Sequence, residues 1–598
     1  MTAPVASTYD APVEDIMTAL DVAGLPALLR LPDFAHLERE TVSLAVKEFG
    51  RFASEVLEPT DAPGDAARAR FDPSSGRVVT PPGFGAAYRQ YVQGGWGALQ
   101  FPERSGGGGF PSVVAVALQE MFASANTSLS INPVLTQAAA ELVLRLGTDR
   151  QRQFYLPPLL SGRWCGTMEL TEAGSGSDLS ELKALAEPQP DGSWRLSGTK
   201  IFITWGEHDL ADNIVHVVLA RTPGAPAGTR GLSVFLVPKV APGPAGELGV
   251  ANSLRCTRIE EKLGIHASPT CVMRYDGAYA ELVGEVHGGL RAMLTMMNLA
   301  RLSIGAEGSA IAERAYQQAR RYAASRLQGR RPLAPGRSAI IEHPDVARML
   351  LKMRTLTLAS RLVVFTASAY GDQAVHGADE AARERGGVYC QLLTPVAKAW
   401  ATDNGFLVSS LGVQVHGGMG YVEETGIAQR LRDARIGAIY EGTNGIQALD
   451  LVARKLPRDG GRWARELLDE ITATVSSDYP DELAPAVELL AEAQGALSAA
   501  TSWLLERGTS CPDDVLAGAS AYLELAGVTV GGWLMVKRAL AVLPLADGFA
   551  TAAGEAHFFA TESMVQAGSL LRQVTAGAGR LAALTGPRRE ISPGAPRP

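Results

Sequence analysis

The chain changes its pattern of apolar and polar positions twice along its length. Residues 41–60 place apolar side chains at helical spacing and stop at a proline, which predicts a helix. From Trp164 to about Leu282, alternating and β-branched runs lie between turn residues and predict strands. After Val286, long helical patterns with few breakers return and continue to about Leu584. The pattern therefore predicts helices, a compact β region, and then more helices.

This order of elements decides the predicted fold class. Strands and helices do not alternate, which disfavours a doubly wound parallel sheet and favours a mostly α protein with a central β domain. We predict an N-terminal helical domain of residues 1–163, a middle β domain of 164–285, and a helical bundle of 286–456. An additional C-terminal helical domain of 457–584 and a disordered, proline-rich tail of 585–598 complete the chain.

Composition and charge indicate the class of protein, its partners and the compartment in which it works. Hydrophobic residues make up 46% and charged residues 20% of the 598 positions, as in an ordinary soluble globular protein. The net charge of −8 provides no global attraction to nucleic acid or to acidic membranes. The five cysteines are scattered, odd in number and form no CxxC pair. A disulfide framework and a zinc site are therefore disfavoured, and a reducing compartment is indicated.

The N-terminus and the most apolar segment bear on location. The first residues contain no basic segment and no apolar run, so we expect no secretory signal. The longest apolar run, Leu525–Val536, is bounded by charged residues and is too short to span a bilayer. We expect a cytoplasmic protein without stable membrane insertion and without a metal site.

Four short segments contain the residues best suited to chemistry. They are the loop Leu170–Asp178, the strand Gly198–Thr204, the loop Gln414–Gly420 and the block Arg432–Gln447. Small residues let a ligand approach backbone amides, and hydroxyl groups can bond phosphate oxygens. Each segment alone is explained about as well, or better, as a surface loop, a core strand or a helix start. A lone Glu441 before a helix could simply favour the helix dipole.

Together, the four segments resemble the acyl-CoA dehydrogenase family. The TE-x-G-x-GSD loop, the GTK-x-x-IT strand, the Q-x-x-GG-x-GY loop and the RDA…IYEGT block occur in family order. The resemblance covers about residues 85–456. The helical region after Pro457 is similar to the long bacterial branch, which includes enzymes for fatty acyl-CoAs and for 3-methylmercaptopropionyl-CoA. The resemblance implies an N-terminal helical domain, a middle β-barrel or sheet domain, a four-helix bundle and the additional helical domain.

The resemblance implies FAD as the cofactor, held between the β domain and the helical bundle. Residues that match flavin and phosphate contacts are Met168, Leu170, Thr171, Gly176, Ser177, Phe202, Thr204 and Thr443. Arg326 matches an arginine that neutralises the pyrophosphate of a neighbouring subunit's FAD. Gln414, Gly417 and Gly418 match contacts at the adenine end, again across a dimer interface. A homodimer is therefore expected.

The resemblance also implies the reaction, which is the FAD-dependent α,β-dehydrogenation of an acyl-CoA thioester to the trans-2-enoyl-CoA. Glu441 matches the base that removes the α-proton, while the flavin accepts the β-hydride. Some relatives place the base one residue before an arginine that Arg301 matches, but that residue here is Ala300, which cannot accept a proton. The residues implied on the substrate side are Ser177, Asn298, Arg301, Tyr440 and Gly442.

Departures from the family pattern concern substrate size rather than reaction class. Trp205 stands where small or polar residues are frequent, and Glu169 is an unexpected charge that strand alternation would point away from the cofactor. The expected partners are an acyl-CoA and an electron-transfer flavoprotein, with no nucleic acid. An acyl-CoA oxidase that uses oxygen, a DNA-associated flavoprotein of the same fold and a degenerate scaffold stay open as alternatives, although an intact Glu441 argues against the last.

Overall fold

A computed structural model describes residues 9–243, 247–331 and 336–585. The predicted tail of 585–598 lies outside these ranges, apart from its first residue. The chain divides into two units, the first of residues 1–390 and 397–443 and the second of residues 391–396 and 444–598. The predicted order of helices, β region and further helices is confirmed within these units.

The first unit begins with helices and one short hairpin. The helices are α1 Val13–Ala23, α2 Leu25–Leu28, α3 Arg39–Phe52, α4 Asp61–Ala67, α5 Phe84–Gln93, α6 Ser112–Ala125, α7 Thr127–Leu146 and α8 Asp149–Leu160; the hairpin is β1 Arg70–Asp72 with β2 Arg77–Val79. The Asn126 side chain caps α7 by accepting the Leu129 amide, and a capping box of Thr148 and Gln151 starts α8. The sequence pattern did not reveal the hairpin.

The β region forms one large sheet and one small hairpin. Its strands are β3 Trp164–Glu169, β4 Leu185–Pro188, β5 Trp194–Thr204, β6 Asn213–Arg221, β7 Leu232–Pro238, β8 Val240–Pro242, β9 Leu248–Ala251, β10 Leu254–Ile259 and β11 Thr270–Val283. β6 pairs with β3, β4 and β7, whereas β11 pairs with β5, β7 and β10. Because β4 also pairs with β5, five strands close into a barrel-like ring. The fully buried runs in β6 and β7 explain their unbroken apolar sequences.

Long helices complete the first unit. They are α9 Gly289–Ser325, α10 Pro344–His376 and α11 Glu380–His416, followed by the short α12 Ile427–Ala434. Arg361 of α10 lies 2.6 Å from Glu120 of α6 and 2.8 Å from Glu313 of α9, and all three side chains are buried. Removing one partner from such a buried ionic cluster costs about 3–5 kcal/mol, so this cluster fixes the packing of three helices.

The second unit is helical. Its helices are α13 Asn444–Asp450, α14 Arg462–Val475, α15 Ala484–Arg507, α16 Pro512–Ala541, α17 Ala546–Glu562, α18 Ala567–Val574 and α19 Gly579–Thr585. α16 packs against α15, α17 and α18 and forms the centre of this unit. The predicted domain boundaries fall between α8 and β3, between β11 and α9, and before α14, and they stay predictions.

By length and composition alone, α16 could cross a membrane. It has 30 residues, so it extends well beyond the apolar run Leu525–Val536 that the sequence showed. Of its most apolar window, 72% is buried inside the protein. A helix that is apolar all round is equally typical of a protein core, and the contacts of α16 are those of a core helix.

Candidate active site

One buried lysine connects the loop after β3 with the end of β5. Lys200 donates to the Leu170 carbonyl at 2.9 Å and to the Glu172 carboxylate at 2.8 Å. The Ile201 amide donates to the Thr171 carbonyl at 2.9 Å. The loop Leu170–Asp178 and the strand Gly198–Thr204 are therefore neighbours. Main-chain and ionic contacts fix the loop against the strand.

A β-bulge re-aims the end of β5. The pairing with β11 shifts between Cys271 and Met273, and Phe202 has a left-handed φ of 59°. Phe202 is 60% exposed. Thr204 is half-buried, and its main-chain carbonyl accepts a hydrogen bond from the Thr167 hydroxyl at 2.7 Å. The regular alternation of a strand is thus interrupted between Phe202 and Thr204, and the bulge turns an aromatic ring toward the surface.

The two side chains that departed from the family pattern in this region are buried. Glu169 accepts the Tyr275 hydroxyl at 2.6 Å and lies 2.6 Å from Nδ1 of His216. Trp205 is also fully buried. The Glu169 charge therefore belongs to a polar cluster inside the β domain. Of the other residues predicted here, Met168 is buried, Leu170 and Thr171 are half-buried, and Gly176 and Ser177 are exposed.

Glu441 lies in a tight turn between α12 and α13. Its φ is 56° and that of Gly442 is 85°, both in the left-handed region that costs a non-glycine residue about 1–2 kcal/mol. Arg301 of α9 donates through Nε to the Glu441 carbonyl at 3.3 Å. Lys398 of α11 donates through Nζ to the Gly442 carbonyl at 2.9 Å. Two cationic side chains from two helices therefore hold the turn that presents Glu441.

The neighbours of this turn are held by further contacts. The Tyr440 hydroxyl lies 2.6 Å from both carboxylate oxygens of Glu307 on α9. Arg301 also donates to the Asn298 side chain at 3.3 Å. Ala300 is buried and has no proton-accepting group. Of the predicted substrate-side residues, Arg301 therefore contacts the Glu441 turn directly, Asn298 is linked to it through Arg301, and Tyr440 precedes Glu441 in the chain.

Burial and charge set the protonation of this site. Burial raises the pKa of Glu441 to about 6, while Arg301 and Lys398 act in the opposite direction. Burial lowers the pKa of Lys398 to about 8, against the attraction of Glu441. Burial also raises the pKa of Glu307 to about 7. A carboxylate with a pKa of about 6 is largely ionised at neutral pH and still accepts a proton readily.

A third group of predicted residues lies where α9 and α11 end. Arg326 follows α9 and is exposed, and Gln414 lies in the last turn of α11. The rings of Tyr322 and His416 stack with their centroids 4.3 Å apart, and this contact holds the two helix ends together. Gly417–Gly418 has open space where side chains would be, and Gly417 has a φ of 60°. A ligand or a second chain can approach this backbone closely.

The structure thus sorts the predicted residues into three groups. The loop after β3, which includes Ser177, joins the end of β5. Asn298, Arg301 and Tyr440 join the Glu441 turn, and Arg326 lies with the Gln414–Gly418 loop where α9 and α11 end. Thr443 is half-buried and lies two residues after Glu441. Within residues 9–243, 247–331 and 336–585, no side-chain hydrogen bond links the third group to the first.

Sequence reasoning missed three charged residues that build this site. Lys200, Glu307 and Lys398 are all buried and contact the predicted segments or their immediate neighbours. Glu307 and Lys398 were each visible as a single charge within a mostly apolar run of a helix, and Lys200 was visible as the lysine of the GTK-x-x-IT strand. Because buried charges are rare unless they are paired, such positions signal a structural or functional contact.

In the part of the chain that the structure describes, no cluster of three or more histidine, cysteine, aspartate or glutamate side chains is arranged to hold a metal ion.

Four family models match the chain in sequence. They are the acyl-CoA dehydrogenase N-terminal domain at residues 40–163, its middle domain at 167–278 and its C-terminal domain at 287–456, followed by the acetyl-CoA dehydrogenase C-terminal-like domain at 467–585. The last model covers most of the additional helices that follow the Glu441 turn.

A curated relative decides the family. The chain is 47% identical over 539 residues to the 3-methylmercaptopropionyl-CoA dehydrogenase of Ruegeria pomeroyi, with 89% of this chain and 91% of that protein covered. The chain belongs to the acyl-CoA dehydrogenase family. It is an oxidoreductase that dehydrogenates an acyl-CoA. The resemblance stated from the four segments, including the long branch with its additional domain, is confirmed.

Solved structures of this family share the fold. ACDH-11 of Caenorhabditis elegans, solved in complex with C11-CoA, matches with a TM-score of 0.77 at 20% identity, covering 94% of this chain and 93% of that chain. An acyl-CoA dehydrogenase of Bacillus anthracis, solved with FAD, matches with a TM-score of 0.71 at 19% identity, covering 96% and 90%. The predicted acyl-CoA dehydrogenase fold is confirmed.

Proposed function

We propose that this acyl-CoA dehydrogenase binds FAD and uses Glu441 as the base that removes the α-proton of its acyl-CoA thioester. The observation that carries the proposal is the Glu441 turn, held by Arg301 and Lys398, with a carboxyl pKa raised by burial to about 6. When bound, FAD supplies the acceptor for the β-hydride. The product is the trans-2-enoyl-CoA.

The groups beside β5 fit a dinucleotide with a planar ring. Phe202 exposes most of its aromatic ring next to Thr204, and the Leu170–Thr171 loop is fixed beside them. The exposed Ser177 offers a hydroxyl group and a main-chain amide to an oxygen of the cofactor. These residues would hold the flavin end, and Thr443 would approach it from the side of the Glu441 turn.

Glu441 performs the proton transfer in this account. The α-proton of a thioester is a weak acid, so hydrogen bonds to the thioester carbonyl must stabilise the developing enolate. The Glu441 main-chain amide is the donor that we assign to that carbonyl. Desolvation by the bound acyl chain raises the pKa of the Glu441 carboxyl further, which strengthens it as a base.

The relative that is 47% identical suggests the first substrate to test. It is named for 3-methylmercaptopropionyl-CoA, so we propose this compound or another short acyl-CoA as the substrate. We further propose a homodimer in which Arg326 and the Gln414–Gly418 loop reach the partner's cofactor. An electron-transfer flavoprotein as the acceptor and a cytoplasmic location complete the proposal. The name of this relative favours a dehydrogenase over an oxidase.

A panel of acyl-CoAs tests the function. Purified protein should release FAD on denaturation and oxidise 3-methylmercaptopropionyl-CoA and straight-chain acyl-CoAs with an artificial electron acceptor. Slow reaction of the reduced protein with oxygen, compared with an electron-transfer flavoprotein, would support a dehydrogenase. Protein that stays colourless in the presence of added FAD would contradict the proposal.

A further inference from the structure

Lys398 is a buried charge in the middle of α11 that the reaction itself does not use. Its Nζ donates to the Gly442 carbonyl at 2.9 Å, one peptide unit after the base. The Lys398 side chain is fully buried, and its main-chain carbonyl accepts a hydrogen bond from the Thr402 hydroxyl one turn later in α11. A buried ammonium group is costly unless nearby groups compensate it, so its location calls for an explanation.

The charged groups around Lys398 supply that explanation. Its ammonium group interacts electrostatically with the carboxylates of Glu441, Asp403 and Glu307 and with one cation, Arg301. The strongest of these attractions comes from Glu441. A cation that faces the base stabilises the ionised carboxylate, which is the form that accepts the α-proton.

The main-chain contact has a second effect. Glu441 and Gly442 both adopt left-handed conformations, and such backbone persists only where surrounding contacts enforce it. Arg301 holds the Glu441 carbonyl and Lys398 holds the next carbonyl along the chain. Loss of one of these two contacts would let the turn relax and would move the carboxylate relative to the substrate.

We propose that Lys398 is a positioning residue for the base, because its ammonium group fixes the Glu441–Gly442 turn and keeps a positive charge facing the Glu441 carboxylate. This inference rests on the proposed role of Glu441. Lys398 itself contacts neither substrate nor cofactor in this account, and it acts through the turn. It therefore influences two separate quantities, the protonation of Glu441 and the geometry of proton transfer.

The test compares Lys398→Met, which removes the charge, with Lys398→Arg, which keeps it. The rate of anaerobic flavin reduction by acyl-CoA is measured in the FAD-loaded enzyme against pH. In Lys398→Met the pH of half-maximal rate should rise by about 1 unit, because the ionised carboxylate loses an opposite charge. The plateau, fitted from the rates below pH 8 where Lys398 stays largely protonated, should fall about tenfold or more, because the turn is less well fixed.

Lys398→Arg separates the two effects. It should keep the pH midpoint near that of the wild type while lowering the plateau, because arginine retains the charge but differs in shape. If Lys398→Met does not fold, Lys398→Gln replaces it as the uncharged variant. The midpoint is also read without turnover by ¹³C NMR of glutamate carboxyl carbons, where the Glu441 signal is assigned by its absence in Glu441→Gln.

Lys262→Met is the matched control. Lys262 also has a pKa lowered to about 8 by burial, and it also donates to a main-chain carbonyl, that of Ser268, at 2.7 Å. Its main attractions are to Cys271, Asp433 and Glu260, so this variant should keep the wild-type midpoint.

Glu441→Gln in parallel keeps the two proposals distinguishable. Reduction of that variant at the wild-type rate would refute the proposed base. Two outcomes with a slow Glu441→Gln variant would overturn the role of Lys398 alone. In the first, Lys398→Met keeps the wild-type pH midpoint and plateau. In the second, Lys262→Met shows the same shift of the midpoint as Lys398→Met.

Discussion

The Lys200 ammonium group lies 2.8 Å from the Glu172 carboxylate, and both side chains are buried. Glu172 also accepts the main-chain amides of Lys183 and Ala184. The pair therefore fixes the loop after β3 against β5, next to the residues that we assign to the flavin. This contact explains why Glu172 stands in the loop Leu170–Asp178 and why Lys200 stands in the strand Gly198–Thr204.

Replacing Lys200 by methionine should destabilise the β domain. The change leaves the Glu172 carboxylate buried without its cation, which costs about 3–5 kcal/mol. The midpoint temperature of thermal unfolding and the fraction of bound FAD should both fall. Lys183→Met, at an exposed side chain in the same loop, is the control and should stay within about 0.5 kcal/mol of the wild type. Equal stability of the two variants would contradict the assigned role of the buried pair.

Phe202 should matter for the cofactor more than for the fold. Its side chain is 60% exposed, so Phe202→Ala removes little buried surface and should change the stability of the FAD-free protein only slightly. Retention of FAD, measured by absorbance after gel filtration, should fall at least severalfold. Phe202→Tyr keeps an aromatic ring and should retain FAD. A Phe202→Ala protein as yellow as the wild type would show that this ring does not contact the flavin.

Activity should depend on the protonation of Glu441. Because the pKa of Glu441 is about 6 and the ionised form is the base, kcat/KM should decline below about pH 6. The decline should approach tenfold per pH unit. The initial-rate profile of the free enzyme at low substrate concentration provides the measurement. A constant kcat/KM from pH 5 to pH 8 would be incompatible with this assignment.

The same pKa predicts a stability effect of Glu441→Gln. The folded-state pKa of about 6 lies above the unfolded value of about 4.3, so the ionised carboxylate destabilises the native state above pH 6. The effect corresponds to about 2 kcal/mol and disappears as the pH falls below the unfolded value. Glu441→Gln should therefore raise Tm at pH 8 by about 1–2 °C but not at pH 4. A lower Tm at pH 8 would indicate a glutamate that merely favours the helix dipole.

The sequence predicted the fold class and the main strands because their apolar patterns are long and regular. β3, β5, β6, β7 and β11 all lie where alternating or apolar runs predicted them. The bulge at Phe202 could not be predicted, because it depends on pairing with β11 rather than on local preference.

The candidate site was predictable only in part. Glu441 was found from its motif, but its left-handed turn is enforced by Arg301 and Lys398. Those residues stand 140 and 43 positions away in the chain, and local patterns carry no information about such distant contacts. Lys398 was therefore visible as a single charge within a mostly apolar helix, but its contact with the Gly442 carbonyl was not.

Glu441→Gln tests most directly whether Glu441 removes the α-proton. Glutamine keeps the shape and the main-chain amide, so FAD and acyl-CoA should bind as they do in the wild type. Stopped-flow mixing without oxygen measures flavin bleaching by acyl-CoA in both proteins. We predict that the rate falls by at least about 10²–10⁴-fold, the contribution typical of a general base. Bleaching of the variant at the wild-type rate would show that Glu441 is not the base.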